Sequence, residues 1–287
     1  MKRCILLFTL IVCSFSAFSQ RFHLGLFGGI SNYQGDLTDK VYVKNSTKGA
    51  GGIFLQYEIS DRFSLRSGFT YAKVTGNDAF NTKTYLQARN LHFTSSVAEV
   101  SLLGEFTVFN LYNIRWSPYL FGGVAVFRFN PYTHDVDHQK VYLKPLSTEG
   151  QGLAGYDVEP YSLTQVALPF GGGIKYALTD NIRIGAEVGI RKTFTDYLDD
   201  VSTNYADPAD LLEQRGQQAV DFSYRGDEVA GGDPAYPAKG AQRGGAQYKD
   251  LYYFTGLTLS FRLGGGYGST FASKLGNKKL DCPKVVF

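Results

Sequence analysis

Chemistry in this chain would have to come from a few acidic, histidine and cysteine side chains. The closest histidines stand in His134-Asp-Val-Asp-His138, where imidazoles interleaved with carboxylates could bind a divalent metal or act as a general base. In an extended segment residues 134, 136 and 138 point one way, which separates both histidines from both aspartates. An exposed polar loop is the simpler reading. His23 and His92 stand alone. A second cluster, Asp196-Tyr-Leu-Asp-Asp200, gathers the carboxylates of Asp196, Asp199 and Asp200 around Tyr197. Calcium takes such oxygens, yet a hydrogen-bonded loop anchor needs only the same residues and no ion. There is no Ser/His/acid spacing, zinc motif or phosphate-cradling loop, because Gly171-Gly-Gly173 lies inside an apolar run, where glycine relieves crowding. The expectation is a protein that is not an enzyme, with no catalytic residue, metal or cofactor.

The cysteines bear on export. Met1-Lys-Arg3 is a short basic start, an apolar run follows over 5–12, and Ala17-Phe-Ser19 before Gln20 is a small-x-small cleavage site. Residues 1–19 therefore read as a secretory signal peptide. Lipid attachment at Cys13 would call for a small residue before it, and Val12 is not small. Cys4 and Cys13 leave with the signal, so Cys282 is the sole cysteine of the mature chain. No internal disulfide is possible, and a lone cysteine in an exported protein suits pairing with another chain or a free thiol. Cleavage removes Lys2 and Arg3, which turns 29 bases into 27 against 26 acids. A balance of +1 gives no argument for nucleic acid or an acidic substrate as partner.

The elements that would position these residues are strands. After the signal no apolar stretch approaches the roughly 20 residues of a spanning helix. The 33 glycines and the 20 Tyr with 22 Phe suit a tightly curved barrel with aromatic membrane interfaces instead. Residues 251–263 alternate strictly: Leu251, Tyr253, Thr255, Leu257, Leu259, Phe261 and Leu263 share one face, against Tyr252, Phe254, Gly256, Thr258, Ser260 and Arg262. Similar alternation marks residues 22–30, 51–59, 63–71, 97–109, 118–129, 165–178 and 182–191, which gives eight strands. Links after strands two, four and six are short. Those after one, three, five and seven are long, with 130–164 and 195–250 the longest. That asymmetry predicts an all-β fold, an eight-stranded antiparallel up-and-down transmembrane β-barrel with short periplasmic turns, long outer loops and both mature termini in the periplasm. The expected division is a barrel over 20–263 and a periplasmic tail over 264–287.

The inward faces would carry Glu58, Arg66, Glu99, Glu105, Lys175, Arg183, Glu187, Arg191 and Arg262. Eight strands leave room only for side chains, so these charges should neutralise one another rather than line an open pore. In the last long loop, Pro208 to Gln218 could form a short helix capped by Asp207. Residues 226–247, rich in Gly, Pro and Ala, read as disordered. The tail combines Gly264-Gly-Gly266, Lys274, Lys278, Lys279, Cys282 and the apolar terminus Phe287, a composition suited to a docking peptide.

Several of these segments resemble signatures of one family. Gly256-Leu-Thr-Leu-Ser-Phe261 is similar to the terminal signal by which the outer-membrane barrel-assembly machinery recognises its clients, with Gly256, Leu259 and Phe261 at the key positions and Phe254 where that signal has a polar residue. Asn32-Tyr-Gln-Gly-Asp-Leu37, then Thr195 to Thr203 with Tyr205, then Arg225-Gly226 with Asp250 to Gly256 resemble three signatures of the DUF6089 outer-membrane barrels, a family that includes PorG-like members of the type IX secretion system. The resemblance covers nearly the whole mature chain and departs from the family in a longer Gly/Pro/Ala insert after Arg225-Gly226. It implies a non-enzymatic partner of a periplasmic ring, made of a lipoprotein and its partner protein, held to the membrane by the turns and tail, with Cys282 as a covalent link. The other reading is a stand-alone surface barrel whose long loops bind an external ligand. A loop-based enzyme using His134 and His138 is a third.

Overall fold

The computed structural model describes residues 21–263 apart from 39, 41, 230 and 231. The segment expected to be a signal peptide, residues 1–19, and the tail carrying Lys278, Lys279, Cys282 and Phe287 lie outside the described residues. The described residues form ten strands: β1 (Phe22–Gln34), β2 (Lys48–Glu58), β3 (Phe63–Asn77), β4 (His92–Thr107), β5 (Trp116–Arg128), β6 (Pro131–His134), β7 (Lys140–Tyr142), β8 (Thr164–Ala177), β9 (Ile182–Thr193) and β10 (Leu251–Arg262). Eight of them form a closed antiparallel ring, in the order β1-β2-β3-β4-β5-β8-β9-β10, with β10 pairing back onto β1. The eight expected strands are all present. β6 and β7 form a hairpin that adds to the outer end of β4.

Period-two alternation sets what faces lipid. Leu24, Leu26, Ile53, Leu55, Val100, Leu102, Val124, Val126, Ile174, Val188 and Leu257 are exposed around the ring, while their sequence neighbours turn inward. An exposed apolar band of this kind is stable against hydrocarbon and unstable against water, so the barrel is a transmembrane one. Phe63, Phe109 and Trp116 gather at the short-turn end, with Phe109 and Trp116 edge to face at 5.5 Å, as expected of an interfacial girdle.

The inward charges form three layers. Nearest the short turns, Glu58 meets Arg183 at 2.5 Å and Arg262 at 3.4 Å, and Tyr112 donates to it at 2.7 Å. In the middle, Arg66 pairs with Glu187 at 2.7 Å, Tyr119 donates to the same carboxylate at 2.6 Å, and Lys175 pairs with Glu105. Above them Arg191 meets Glu99 at 3.2 Å, Tyr252 donates to Glu99 at 2.8 Å, and the guanidinium lies 4.2 Å from the Phe254 ring centre. Phe254 therefore packs within the lumen. Cavities among these layers measure only about 30 and 10 Å³.

Glycine is required at one seam in particular. A Cβ on Gly29 would lie 2.6 Å from Gly256 Cα across the β1–β10 pairing. At Gly171 it would lie 2.2 Å from the Val188 carbonyl oxygen, so the triple glycine does relieve crowding.

Two expectations need correction. Strands β1, β3 and β4 run several residues further outward than the alternation suggested. There Ser31, Asn32 and Tyr33 are all buried in succession, because loops cover both faces of the outer ends and erase the period-two signal. Residues 226–247, read as disordered, are structured where they are described. Tyr205 donates its backbone N–H to Ala241 at 2.8 Å, the Gly240 N–H returns to Tyr205 at 2.9 Å, and Arg243 is buried. The segment holds because small residues let backbone approach backbone: a Cβ on Gly244 would lie 2.6 Å from Ser202 N.

Candidate functional site

The long loops fold together into a cap over the long-loop mouth of the barrel, and the three sequence signatures meet inside it. Tyr33 stands one residue before the end of β1, Asp199 follows β9, and Asp250 precedes β10. The Tyr33 hydroxyl reaches both carboxylates, at 2.5 Å from Asp199 and 3.0 Å from Asp250. Each acid is also held by backbone, Asp199 by the Val201 N–H at 3.0 Å and Asp250 by the Leu198 N–H at 2.9 Å. Gly35 passes so close that a Cβ there would lie 1.9 Å from Asp250 Oδ1. One position on, Asp36 accepts from the Gly245 N–H at 2.9 Å. The knot thus joins the first loop, the start of the last loop and its end.

A second knot ties the fifth-strand loop to the last one. Asp200, in the left-handed region at φ 67°, accepts from the Tyr161 and Thr148 hydroxyls at 2.6 Å each. Glu149 accepts from the Ser202 and Thr203 N–H groups at 2.8 and 2.9 Å and pairs with Arg243 at 3.0 Å, both side chains being buried. Arg243 also donates to the Asp200 carbonyl at 2.6 Å and to the Ser223 carbonyl at 3.0 Å. Tyr197 stacks on Tyr161 with ring centres 4.7 Å apart, and Tyr161 stacks in turn on Phe129.

Helix α1 (Thr84–Arg89) is fastened by a bidentate Arg89–Asp78 pair at 2.7 Å. Helices α2 (Pro208–Arg215) and α3 (Gln217–Ser223) sit on the cap. Asp207 caps α2 through the Ala209 N–H at 2.9 Å, with Pro208 in its first turn as the sequence suggested.

Burial decides the electrostatics of the cap acids. It pushes the Asp200 and Asp196 carboxyls up to about 6. Asp199 and Asp250 are raised well above the ordinary aspartate range, by burial first and then by neighbouring carboxylates, each other in the case of Asp199 and Asp196 in the case of Asp250.

The expected anchor role of Asp196, Tyr197, Asp199 and Asp200 therefore has a geometry: all four lie in the cap, and Asp196 accepts from the Ser202 hydroxyl at 2.7 Å. His134 and His138 are placed differently from the expectation. Residues 135–138 are not extended but form the β6–β7 turn, where Asp135 accepts from the Asp137 and Gln139 N–H groups and His138 takes φ 60°. An aspartate at the start of a tight turn competes with extended backbone in this way. Among the described residues, no group of three or more His, Cys, Asp or Glu side chains is arranged to hold a metal. Gly256 faces Gly29 across the seam, while Leu259 and Phe261 project from the outer face of β10. Tyr33 and Asp250 stand within the signatures but were not singled out as site residues. Arg243 gave no signal, since it lies in the glycine-rich insert.

The comparisons with known proteins bear on most of the chain. A family model described as "Domain of unknown function (DUF6089)" matches residues 2–213. No curated protein matches. Among solved structures the chain is similar to Neisserial surface protein A, at 9% identity and TM-score 0.43, covering 84% of this chain and 97% of that one. It is also similar to Ail, the attachment invasion locus protein of Yersinia pestis, at 8% identity and TM-score 0.40, over 84% and 97% of the two chains. A third is the outer membrane protein OprG from Pseudomonas aeruginosa, at 11% identity and TM-score 0.39, over 85% and 97%. The family match spans well over half of the chain and includes the first two of the signatures that meet at Tyr33, Asp199 and Asp250; the chain belongs to the DUF6089 family.

Proposed function

We propose that this protein is a non-enzymatic outer-membrane barrel that anchors, or helps to assemble, a periplasmic ring of the type IX protein secretion system. The observation that carries an anchoring role is the packed lumen, where Glu58, Glu187, Glu105 and Glu99 each have a cationic partner and the cavities between layers are of about water size. A barrel filled in this way offers surfaces on two sides of a membrane rather than a passage through it. The secretion-system assignment draws on the resemblance of its signatures to PorG-like members of the family. On this reading both mature termini are periplasmic, and the barrel-assembly machinery takes Gly256, Leu259 and Phe261 as its insertion signal. Lys278, Lys279, Cys282 and Phe287 dock the ring lipoprotein and its partner. The test is a pull-down from gently solubilised outer membranes with and without reductant. A ring lipoprotein recovered with a band that collapses on reduction, and lost in Cys282→Ser, supports the anchor. A lone barrel in both lanes overturns it.

A second reading, a surface barrel whose outer loops bind an external ligand, is favoured by one observation. The cap holds a cleft of about 800 Å³ between the first, second and last long loops.

A further inference from the structure

The cleft in the cap has a chemical character distinct from the lumen below it. Just behind its lining lie two buried polar groups without a hydrogen-bond partner, the Thr38 hydroxyl and the Asn81 side-chain NH₂, each residue 3% exposed. Buried polar groups are nearly always paired, so two orphans behind one cleft mark positions for a partner that arrives from outside. Its rim carries two exposed tyrosines, Tyr85 at 66% and Tyr248 at 77% exposure, with the Lys83 ammonium 6.0 Å from the Tyr85 ring centre. Behind them Tyr205 and Tyr224 pack edge to face at 6.1 Å and stiffen the inner wall.

The charges do not favour a polyanion. Arg89 and Arg243 line the cleft but are already clamped, by Asp78 at 2.7 Å and Glu149 at 3.0 Å. The rim lysines Lys83 and Lys249 are matched in number by Asp36 and Asp233. Nor is there a socket for a peptide anchor residue, since the bulky aliphatics among the described lining residues are Leu86 and Leu251. What remains is a roomy groove with flat aromatic faces and paired donor and acceptor capacity. Pockets of roughly 300–1,000 Å³ suit a ligand of a few rings.

We propose that this cleft binds a short, largely uncharged oligosaccharide. Sugar rings lie with their C–H faces on Tyr85 and Tyr248, and a small opening of the lining on binding lets sugar hydroxyls accept from the Asn81 amide and pair with the Thr38 hydroxyl. A saccharide fits because each hydroxyl is both donor and acceptor, and its ring offers an apolar face that tyrosine matches without an aliphatic pocket. The proposal gives the second reading its ligand class and rests on the cap facing outward. It is independent of any periplasmic ring.

The test uses the full-length barrel in detergent on a printed array of neutral gluco-, manno- and galacto-oligosaccharides of two to six residues, beside core oligosaccharide released from lipopolysaccharide. Retention of an array member supports the proposal if it falls about tenfold in Tyr85→Ala and in Tyr248→Ala, the worth of about one lost stacking contact. Both side chains are exposed, so the variants leave the fold intact. Thr38→Val, which keeps the shape and removes the hydroxyl, should weaken the same member several-fold. Capture of the neutral series supports the proposal, whereas capture of the lipopolysaccharide core alone, which carries phosphate and carboxylate groups, overturns the uncharged ligand class. If the wild type retains no saccharide above the Tyr85→Ala/Tyr248→Ala double variant, the proposal is overturned. A separate arm labels Tyr248→Cys, in a Cys282→Ser background, with an impermeant maleimide on intact cells. Labelling supports the outward placement; its absence overturns the surface reading itself, whatever the array shows.

Discussion

Arg243 is the side chain on which the cap turns. Its guanidinium joins Glu149 to the carbonyls of Asp200 and Ser223, and both charged partners are buried. Arg243→Met should therefore leave the Glu149 carboxylate buried without its counter-charge, at a cost of about 3–5 kcal/mol. Since the layers of the lumen lie below and share no contact with Arg243, the loss should stay in the cap. Limited proteolysis should then cut within 226–247 in the variant and not in the wild type, while both keep the heat-sensitive mobility of a folded barrel on gels. The acids of the cap give it a pH dependence with a definite sign. Asp200 and Asp196 sit at about 6 when folded, against 3.8 as the ordinary value, because burial disfavours their charge. Between those values the folded cap holds more protons than the opened one, so its stability falls as pH rises through the window from about 4 to about 6. For Asp200 the difference is about 3 kcal/mol. Burial raises Asp199 and Asp250 as well, so they act in the same direction. Hydrogen exchange at the Leu198 and Val201 amides, corrected for the intrinsic pH dependence of exchange, should be slower at pH 5 than at pH 7.5. Equal protection at both would refute the assignment.

The alternation in each strand was legible because lipid on one side and packed polar groups on the other impose a strict period of two. Legibility ended where that boundary condition ended. Above the membrane band Ser31, Asn32 and Tyr33 are buried one after another, and nothing in their order announces a strand. The insert failed for a different reason: its glycines and alanines look like chain that cannot pack, whereas here they allow Gly244 to come against Ser202 and Asp36. Loop signatures were legible as residues but not as a constellation. Tyr33 and Asp250 are 217 positions apart, and only ring closure between β1 and β10 brings them together. That dependence makes Gly35 a sharp probe of the element scale. A methyl group there would sit 1.9 Å from Asp250 and 2.1 Å from the Tyr33 hydroxyl. Gly35→Ala should part the first loop from the last one and expose both to protease, with the barrel still heat-modifiable. Gly28→Ala, a strand glycine with open space where the Cβ would be, should leave the cap intact.

At the scale of the whole molecule the question is whether the filled lumen or the cap closes the barrel to ions. The inward charges were legible one strand at a time, but their pairing was not, since Arg66 and Glu187 lie 121 residues apart. The three layers put the barrier inside the ring: Glu58 with Arg183 and Arg262, then Arg66 with Glu187 and Lys175 with Glu105, then Arg191 with Glu99. Charges so placed attract each other more strongly than they attract a passing ion, and the gaps between them are about the size of one water. The cap stands over this plug and adds a surface rather than the seal. Planar-bilayer recordings should accordingly show no unitary conductance for the intact protein, and none after residues 199–248 are replaced by a short Gly/Ser link. Removing matched pairs should behave differently. Arg66→Ser with Glu187→Ser, combined with Arg191→Ser and Glu99→Ser, deletes two positive and two negative charges and so leaves the lumen balance unchanged while removing one ion pair from each of two layers, with Lys175 and Glu105 kept. A small, weakly selective conductance should then emerge. If conductance arises instead from the loop replacement alone, the seal belongs to the cap, and the case for an anchor built on a plugged barrel loses its main support.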